Sequence, residues 1–204
     1  DWGLHKTASL PSADRITTIY NGYSRHFRPM DDIDMQIVNR YIPQKDFLFF
    51  LGNTDPKKNT ARVLKAYSLY LEKSSVRRPL LIADLNETYI DRLLQQENIS
   101  NRLKRHLFYP GYIHNADLAT LYNAAFTFLY PSLRESFGIP LVEAMACGTP
   151  VITGNTSSMP EIGGPDILAA DPCRPEEIAG AVLLFLYDEL LRRFARLYRR
   201  RKRG

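Results

Sequence analysis

The stretch Tyr130-Pro131-Ser132-Leu133-Arg134-Glu135-Ser136-Phe137-Gly138-Ile139-Pro140-Leu141-Val142-Glu143-Ala144-Met145-Ala146-Cys147-Gly148-Thr149-Pro150-Val151-Ile152 decides the fold. It reads as the end of a strand, a polar loop, a short helix, a sharp stop and the start of another strand. Proline suits the first position of a helix, because its missing N–H would have no intrahelical partner there. A helix is therefore expected from about Pro140, with Glu143 in its first turn. Gly148 closes it, since glycine takes the left-handed backbone that helix ends adopt. Glu135 in the loop and Glu143 on the helix would then face the mouth of one cleft. Gly138 lets backbone approach a ligand closely, and the amides of Phe137, Gly138 and Ile139 are available for an anion.

The same alternation runs outward in both directions. Short apolar runs occur at Phe47–Leu51, Leu80–Ala83, Leu107–Tyr109, Phe126–Tyr130, Pro150–Thr153 and Ile167–Ala169. Helical spacing follows most of them, at Ala61–Leu71, Tyr89–Gln96, Ala116–Ala125, Leu141–Cys147 and Glu176–Leu186. Leu64, Tyr67, Ser68 and Leu71 lie on one face of the first of these helices. Continuous apolar runs alternating with amphipathic helices imply a parallel sheet covered on both faces. Asn115 or Asp117 is expected to cap the helix that follows. The reading is an α/β, Rossmann-like, doubly wound domain over residues 16–190, with a leader at 1–15 and a basic tail at 191–204.

Bulk properties fit one ordinary globular domain. The chain has 204 residues, 45% hydrophobic and 24% charged. No run approaches the roughly 20 apolar residues of a membrane span. It begins without Met or a signal peptide's apolar run, as an internal cut would. Cys147 and Cys173 form neither a disulfide framework nor a metal-ligand pattern, which points to a reduced, cytoplasmic chain. The net charge of +5 has a local origin: the segment Arg192–Arg203 holds eight of the 27 basic residues and no acid. Without it, 19 basic residues face 22 acidic ones. The run Arg199–Arg203 is a candidate for peripheral contact with an anionic membrane surface; a solvated helix end is the plainer reading. No nucleic-acid partner is expected.

In an open parallel sheet, ligands bind outside the carboxyl ends of the strands. One loop there is Gly52-Asn53-Thr54-Asp55-Pro56-Lys57-Lys58-Asn59. Gly52 suits a tight turn, and Lys57 and Lys58 place positive charge at a helix N-terminus, where amides and the helix dipole already favour a phosphate. The other is the loop of Glu135, whose carboxylate, like that of Glu143, can accept paired hydrogen bonds from sugar or ribose hydroxyls.

Glu135 and Glu143, framing Ser-Phe-Gly-Ile-Pro, resemble the paired-glutamate motif of the retaining GT-B glycosyltransferases of group 1 (family 4). Other segments are similar to that family in its order and spacing: Tyr20-Asn21-Gly22-Tyr23, the loop Gly52–Asn59, Tyr109-Pro110-Gly111-Tyr112-Ile113 with Asp117-Leu118, and Met159-Pro160-Glu161. The resemblance implies the carboxy-terminal, nucleotide-sugar-binding half of a GT-B fold. It implies a donor of UDP or GDP type as substrate, no cofactor and no metal. Lys58, with Gly52, Asn53 and Lys57 around it, would serve the diphosphate. Glu135 would hold the donor sugar, and Glu143 the ribose. The amides of Phe137, Gly138 and Ile139 would lie against sugar and phosphates, and Ile113 and Leu118 would meet the base. Glu135 and Lys58 are the catalytic candidates.

Three departures stand out. Asn53 occupies a place where the family often has Arg, with Lys57 a neighbouring substitute. The Arg199–Arg203 end has no counterpart. The amino-terminal acceptor domain that the family needs for transfer is absent from these residues, so this stretch is expected to bind donor without efficient turnover. The Pro-Lys-Lys-Asn form of the phosphate loop resembles mannosyltransferases of surface-polysaccharide assembly. A dinucleotide oxidoreductase is disfavoured, because no strand leads into Gly-x-Gly-x-x-Gly. A non-catalytic nucleotide-sugar-binding or basic-tail interaction module is the alternative.

Deleting Arg199–Arg203 is expected to leave thermal stability and nucleotide affinity unchanged. A fall of several degrees in the melting midpoint would show instead that the run packs against the domain.

Overall fold

Two apolar clusters sandwich a six-stranded sheet, and the alternation of side chains along each strand decides which cluster a residue joins. The computed structural model describes residue 17 and residues 19–188. The leader at 1–15 and the tail at 191–204 lie outside the described residues. The strands are β1 (Leu48–Leu51), β2 (Leu80–Ala83), β3 (Leu107–Gly111), β4 (Thr127–Tyr130), β5 (Val151–Gly154) and β6 (Leu168–Ala170). All pair in parallel, in the order β3-β2-β1-β4-β5-β6. Each falls on one of the apolar runs. Leu48, Phe50, Leu80, Ile82 and Leu129 point into one cluster, while Phe49, Leu81, Ala83, Phe128 and Tyr130 point into the other. Burial on both faces is why these strands read as unbroken apolar runs.

The first cluster is closed by α2 (Thr60–Lys73), α3 (Glu87–Gln96) and α7 (Pro175–Tyr187). Within α2, Leu64, Tyr67 and Leu71 are buried, as their spacing required. The second is closed by α4 (Asn115–Ala124) and α5 (Ile139–Ala146), with two short helices, α1 (Met35–Val38) and α6 (Met159–Gly163), that the periodicity does not announce. One exit of the chain from β1 leads outward to β2 and β3; the return crosses to β4 on the other side of β1. That reversal makes the carboxyl ends of β1 and β4 the switch point where such sheets bind ligands.

Several local expectations hold and others shift. Beyond α5, Gly148 takes φ +78. Its N–H donates to Met145 O and that of Thr149 to Ala144 O, both at 3.0 Å, the paired closure of a Schellman motif. The helix begins one residue early, at Ile139, so Pro140 is its second residue and Glu143 its fifth, just past the first turn. Neither Asn115 nor Asp117 caps α4. His114 occupies the cap position without a side-chain bond. Asp117 instead accepts from Tyr41 Oη at 2.7 Å and Arg40 at 3.3 Å. Gly52 is needed for space rather than for its turn: a Cβ there would lie 2.9 Å from the Phe50 ring, and its φ is not positive.

The loops at the switch point are held by Asn59. It is buried, sits at φ +65 and ends a single 3₁₀ turn, Pro56–Lys58. Its Nδ2 donates to Pro131 O at 2.9 Å and to Pro172 O at 2.6 Å, tying the loops after β1, β4 and β6 together. Asn59→Gly keeps the left-handed backbone but strands two carbonyls, and is expected to cost about 2 kcal/mol in urea unfolding. Asn59→Ala adds left-handed strain of about 1 kcal/mol. Asn59→Asp, which turns a carboxylate toward two carbonyls, should be the most damaging. A loss for Asn59→Gly far below about 2 kcal/mol would show that the carboxamide bonds carry little.

Candidate functional site

The loop after β1 is rigid by its own chemistry. Asn53 Oδ1 accepts from Asp55 N at 2.9 Å, and Asp55 Oδ1 from Lys57 N at 3.0 Å, so two consecutive side-chain turns present Lys58 inward. Leu133 N donates to Lys57 O at 2.8 Å, joining this loop directly to the one after β4. Lys58 Nζ then meets Glu135 Oε1 at 2.7 Å and Tyr130 Oη at 3.1 Å. The ion pair is largely sheltered, with side chains 15% and 14% exposed. An ammonium has three donors. Two are engaged here, leaving one for a ligand oxygen.

The Glu135 segment is fastened from β5's side. Ser157, at φ +59, donates its hydroxyl to Glu135 O at 2.6 Å and accepts from Glu135 N at 3.2 Å. Ser158 Oγ reaches Glu135 O at 3.1 Å and Phe137 O at 3.3 Å. With the carbonyls thus occupied, the amides of Phe137, Gly138 and Ile139 donate to nothing among the described residues. Gly138 is at φ +90, and a Cβ there would fall 2.5 Å from Met159 Cε. A side chain there would be strained by the backbone and would also have to displace the end of Met159. Ser132, buried beside them, adds its hydroxyl to the polar surroundings of Glu135 and Tyr130.

Glu143 opens into a separate pocket of about 290 Å³. Ile113, Leu118 and Ile139 line it with Glu143, so four of the expected site residues share one cavity. Leu51, Ala83 and Pro140 complete its apolar walls, and Asp84, Tyr112 and Asn115 add polar groups. Tyr122 Oη approaches Glu143 Oε2 at 3.4 Å.

The two glutamates sit in opposite electrostatic settings. Burial works to raise Glu135, but the hydrogen bond and charge of Lys58, helped by Tyr130, outweigh it and hold the carboxyl below its ordinary range. Burial raises Glu143, and the single Tyr122 bond only partly offsets this. Burial and the nearby Glu135 charge push the Tyr130 phenol far up, so it stays protonated.

Not every expected residue joins the two centres. Lys57 is half-exposed and pairs at 3.1 Å with Asp55, away from Lys58. Asn53 spends its side chain on the Asp55 turn, and Gly52 packs against Phe50, Ile82 and Leu85. The residues that sequence reasoning passed over are Tyr130, Ser157, Ser158, Asn59 and Asp84. For Tyr130 and Asp84 a signal exists, since both stand where a strand ends. The serines act through bonds spanning 21 to 23 residues and leave no local pattern. Glu161, in α6, accepts from Tyr20 Oη at 2.7 Å. Among the described residues no group of three or more His, Cys, Asp or Glu is placed to hold a metal ion.

Comparison with known proteins places these features in context. The family model described as Glycosyl transferases group 1 matches residues 34–202. O-antigen chain mannosyltransferase B of Escherichia coli is 34% identical over 185 residues, 90% of this chain and 48% of that protein. The chain thus spans about half the length of this relative. Among solved structures, the C-terminal domain of a group 1 family glycosyl transferase, LpcC, from Francisella tularensis is similar at TM-score 0.70 and 21% identity, covering 88% of this chain and 94% of that one. Anabaena Alr3699/HepE, solved with UDP and glucose, gives TM-score 0.71 at 17% identity over 90% of this chain and 50% of that one. At such identities the structural likeness speaks for the fold, the Rossmann-like α/β domain of GT-B glycosyltransferases.

The opposed settings of the glutamates predict opposed effects on stability. Glu135 has a depressed carboxyl, so its pair stabilises above the ordinary carboxylate range and is lost as pH falls through the depressed value. Glu135→Gln should therefore lower the melting midpoint at pH 7, and lower it less in acid. Glu143 has a raised carboxyl, so its ionisation costs stability once pH rises past the unfolded value. Glu143→Gln should raise the midpoint at pH 7 and lose that advantage in acid. Changes of the same sign for both variants would contradict the assignment.

Proposed function

This chain belongs to the glycosyl transferases group 1, and from that membership we propose that it is the nucleotide-sugar-binding half of a retaining GT-B enzyme of family 4. The observation that carries the reading is the crevice at the switch point, where the Lys58–Glu135 pair and the Glu143 pocket hang on one continuous loop and helix. Glu143 accepts hydrogen bonds from the ribose hydroxyls, and the base lies between Ile113 and Leu118. The diphosphate takes the open donor of Lys58 and the amides of Phe137, Gly138 and Ile139. Glu135, held charged by Lys58, accepts hydroxyls of the sugar. As the bond from the anomeric carbon to the phosphate oxygen breaks, negative charge grows on the diphosphate and positive charge on the sugar. Lys58 and the amides stabilise the first; both are already in place and need no reorganisation.

The donor sugar is a mannosyl unit in this reading, supported by the Pro-Lys-Lys-Asn loop and by the name of the 34% identical relative. The acceptor is a glycan or lipid-linked chain, bound by an amino-terminal half outside these residues. The coverage of 94% of a solved C-terminal domain supports that division. Transfer is cytoplasmic, with Arg199–Arg203 as the candidate peripheral contact with the inner face of the membrane.

Calorimetry in EDTA is expected to detect GDP or UDP binding. Glu143→Ala should weaken nucleotide and nucleotide-sugar alike by roughly 10- to 150-fold, the loss of hydrogen bonds to a charged group. Glu135→Ala should spare the nucleotide and weaken the nucleotide-sugar. In a two-domain enzyme it should lower turnover more than nucleotide affinity. Equal effects of the two changes on nucleotide alone would sink the division of roles, and no effect of either would sink the donor site.

A further inference from the structure

The end of β2 departs from regular pairing at the wall of the Glu143 pocket. Leu80 and Leu81 pair with Leu107 and Phe108, but the register slips before Ala83, which pairs with Gly111. Bulges of this kind turn a strand end and re-aim the next side chain, and they recur beside binding sites. Asp84 follows immediately. Its backbone is left-handed at φ +59, and its N–H donates to Gly111 O at 2.8 Å. A non-glycine residue in that region is uncommon and costs on the order of 1 kcal/mol. The conformation that results puts Asp84 in the lining of the pocket.

The carboxylate there is unspent. Among the described residues Asp84 makes no side-chain hydrogen bond and no ion pair, and burial alone raises its carboxyl above the ordinary range. It shares the cavity with Glu143, a second carboxylate, and no Lys or Arg lines the pocket. Asp84 is exposed at the edge of the cavity and Glu143 half-buried within it; with no cation beside them, both carboxylates favour a ligand that brings N–H and O–H donors. The ribose supplies donors for Glu143. The remaining acceptor faces the apolar slot of Leu51, Ala83, Ile113 and Leu118, which suits a flat ring.

We propose that Asp84 selects the base of the donor, and that the base is guanine. The proposal rests on the donor-site reading given above. Guanine presents two adjacent donors on one edge, the ring N1–H and the exocyclic N2–H, and these match the two oxygens of a carboxylate. Uracil presents a single N–H flanked by carbonyl oxygens that a carboxylate repels, and adenine presents an amino group beside a ring acceptor. A site built to accept hydrogen bonds rejects an analogue lacking the donors, because its polar group is left unpaired.

The test is calorimetry of the full chain with GDP, IDP and UDP, which share the diphosphate and differ in the base; IDP lacks only the exocyclic amino group. Wild type should bind GDP at least about tenfold more tightly than IDP or UDP, the loss of a hydrogen bond to a charged group. Asp84→Asn and Asp84→Gly both accept a positive φ, so the fold is kept. Each should erase most of the preference for GDP over IDP while leaving UDP binding little changed. UDP binding as tight as GDP in wild type, or equal weakening of all three nucleotides in both variants, would overturn the role of Asp84 and leave the donor site standing. Failure of all three to bind wild type would overturn both.

Discussion

The carboxamide of Asn59 is the interaction on which the site depends. One buried –NH₂ group bridges the carbonyls of Pro131 and Pro172, and its oxygen accepts from Arg62 at 3.1 Å. Three loops from three strands are thereby fixed relative to one another at the sheet's switch point. The residue can do this because it stands at φ +65, between a 3₁₀ turn and α2, with its side chain directed back across the sheet rather than along the helix. Lys58 precedes it directly. A shift of the β4 loop by an ångström would break the 2.7 Å contact to Glu135, so the electrostatics of the crevice inherit their geometry from a neutral bond.

That geometry explains how one crevice keeps two glutamates in different states. Both are partly removed from water, which alone would raise both. Glu135 is compensated by a cation at contact distance; Glu143 has only a phenol at 3.4 Å. The first is thus a committed anion, suited to a site where charge develops. The second is an acceptor that gains most when a neutral polyol arrives. The distinction comes from which strand each neighbour hangs on, since Lys58 follows β1 while Glu143 stands a helical turn behind the loop.

Much of this fold could be read from residues alone, for a definite reason. The strands are buried on both faces, so β1, β2 and β4 appear as unbroken apolar runs; α7 carries one as well, at 181–187, but it continues an amphipathic stretch too long for a strand. The stop at Gly148 was equally legible, because its closure involves only neighbours. The failures share the opposite property. Asp117 looks like a cap, but its partner Tyr41 lies 76 residues away and outcompetes the local backbone. Gly52 looks like a turn glycine, yet it answers to packing by Ile82 and Leu85. The helices α1 and α6 are too short to show a period. At the site, the candidacy of Ile113, Leu118, Ile139 and Glu143 came from resemblance to a family, since no periodicity links them; that the four share one pocket came only with the fold. Asp84 stands at a strand end, which is a signal, but nothing local marks the slipped register that brings it to the pocket.

The sheet order also has a kinetic meaning. Its central pairing joins Leu48 to Thr127, and the Lys58–Glu135 contact closes a separation of 77 residues. Neither can form until three strands and their crossovers have been laid down, and closing so long a loop carries an entropic cost that local contacts do not share. During synthesis, β4 and the loop and helix after it must therefore emerge before Lys58 finds Glu135 and before Glu143 completes a pocket whose other walls come mostly from earlier residues. The apolar wall of the pocket can form with the first three strands, whereas the charged end of the crevice is acquired only with the closure of the sheet.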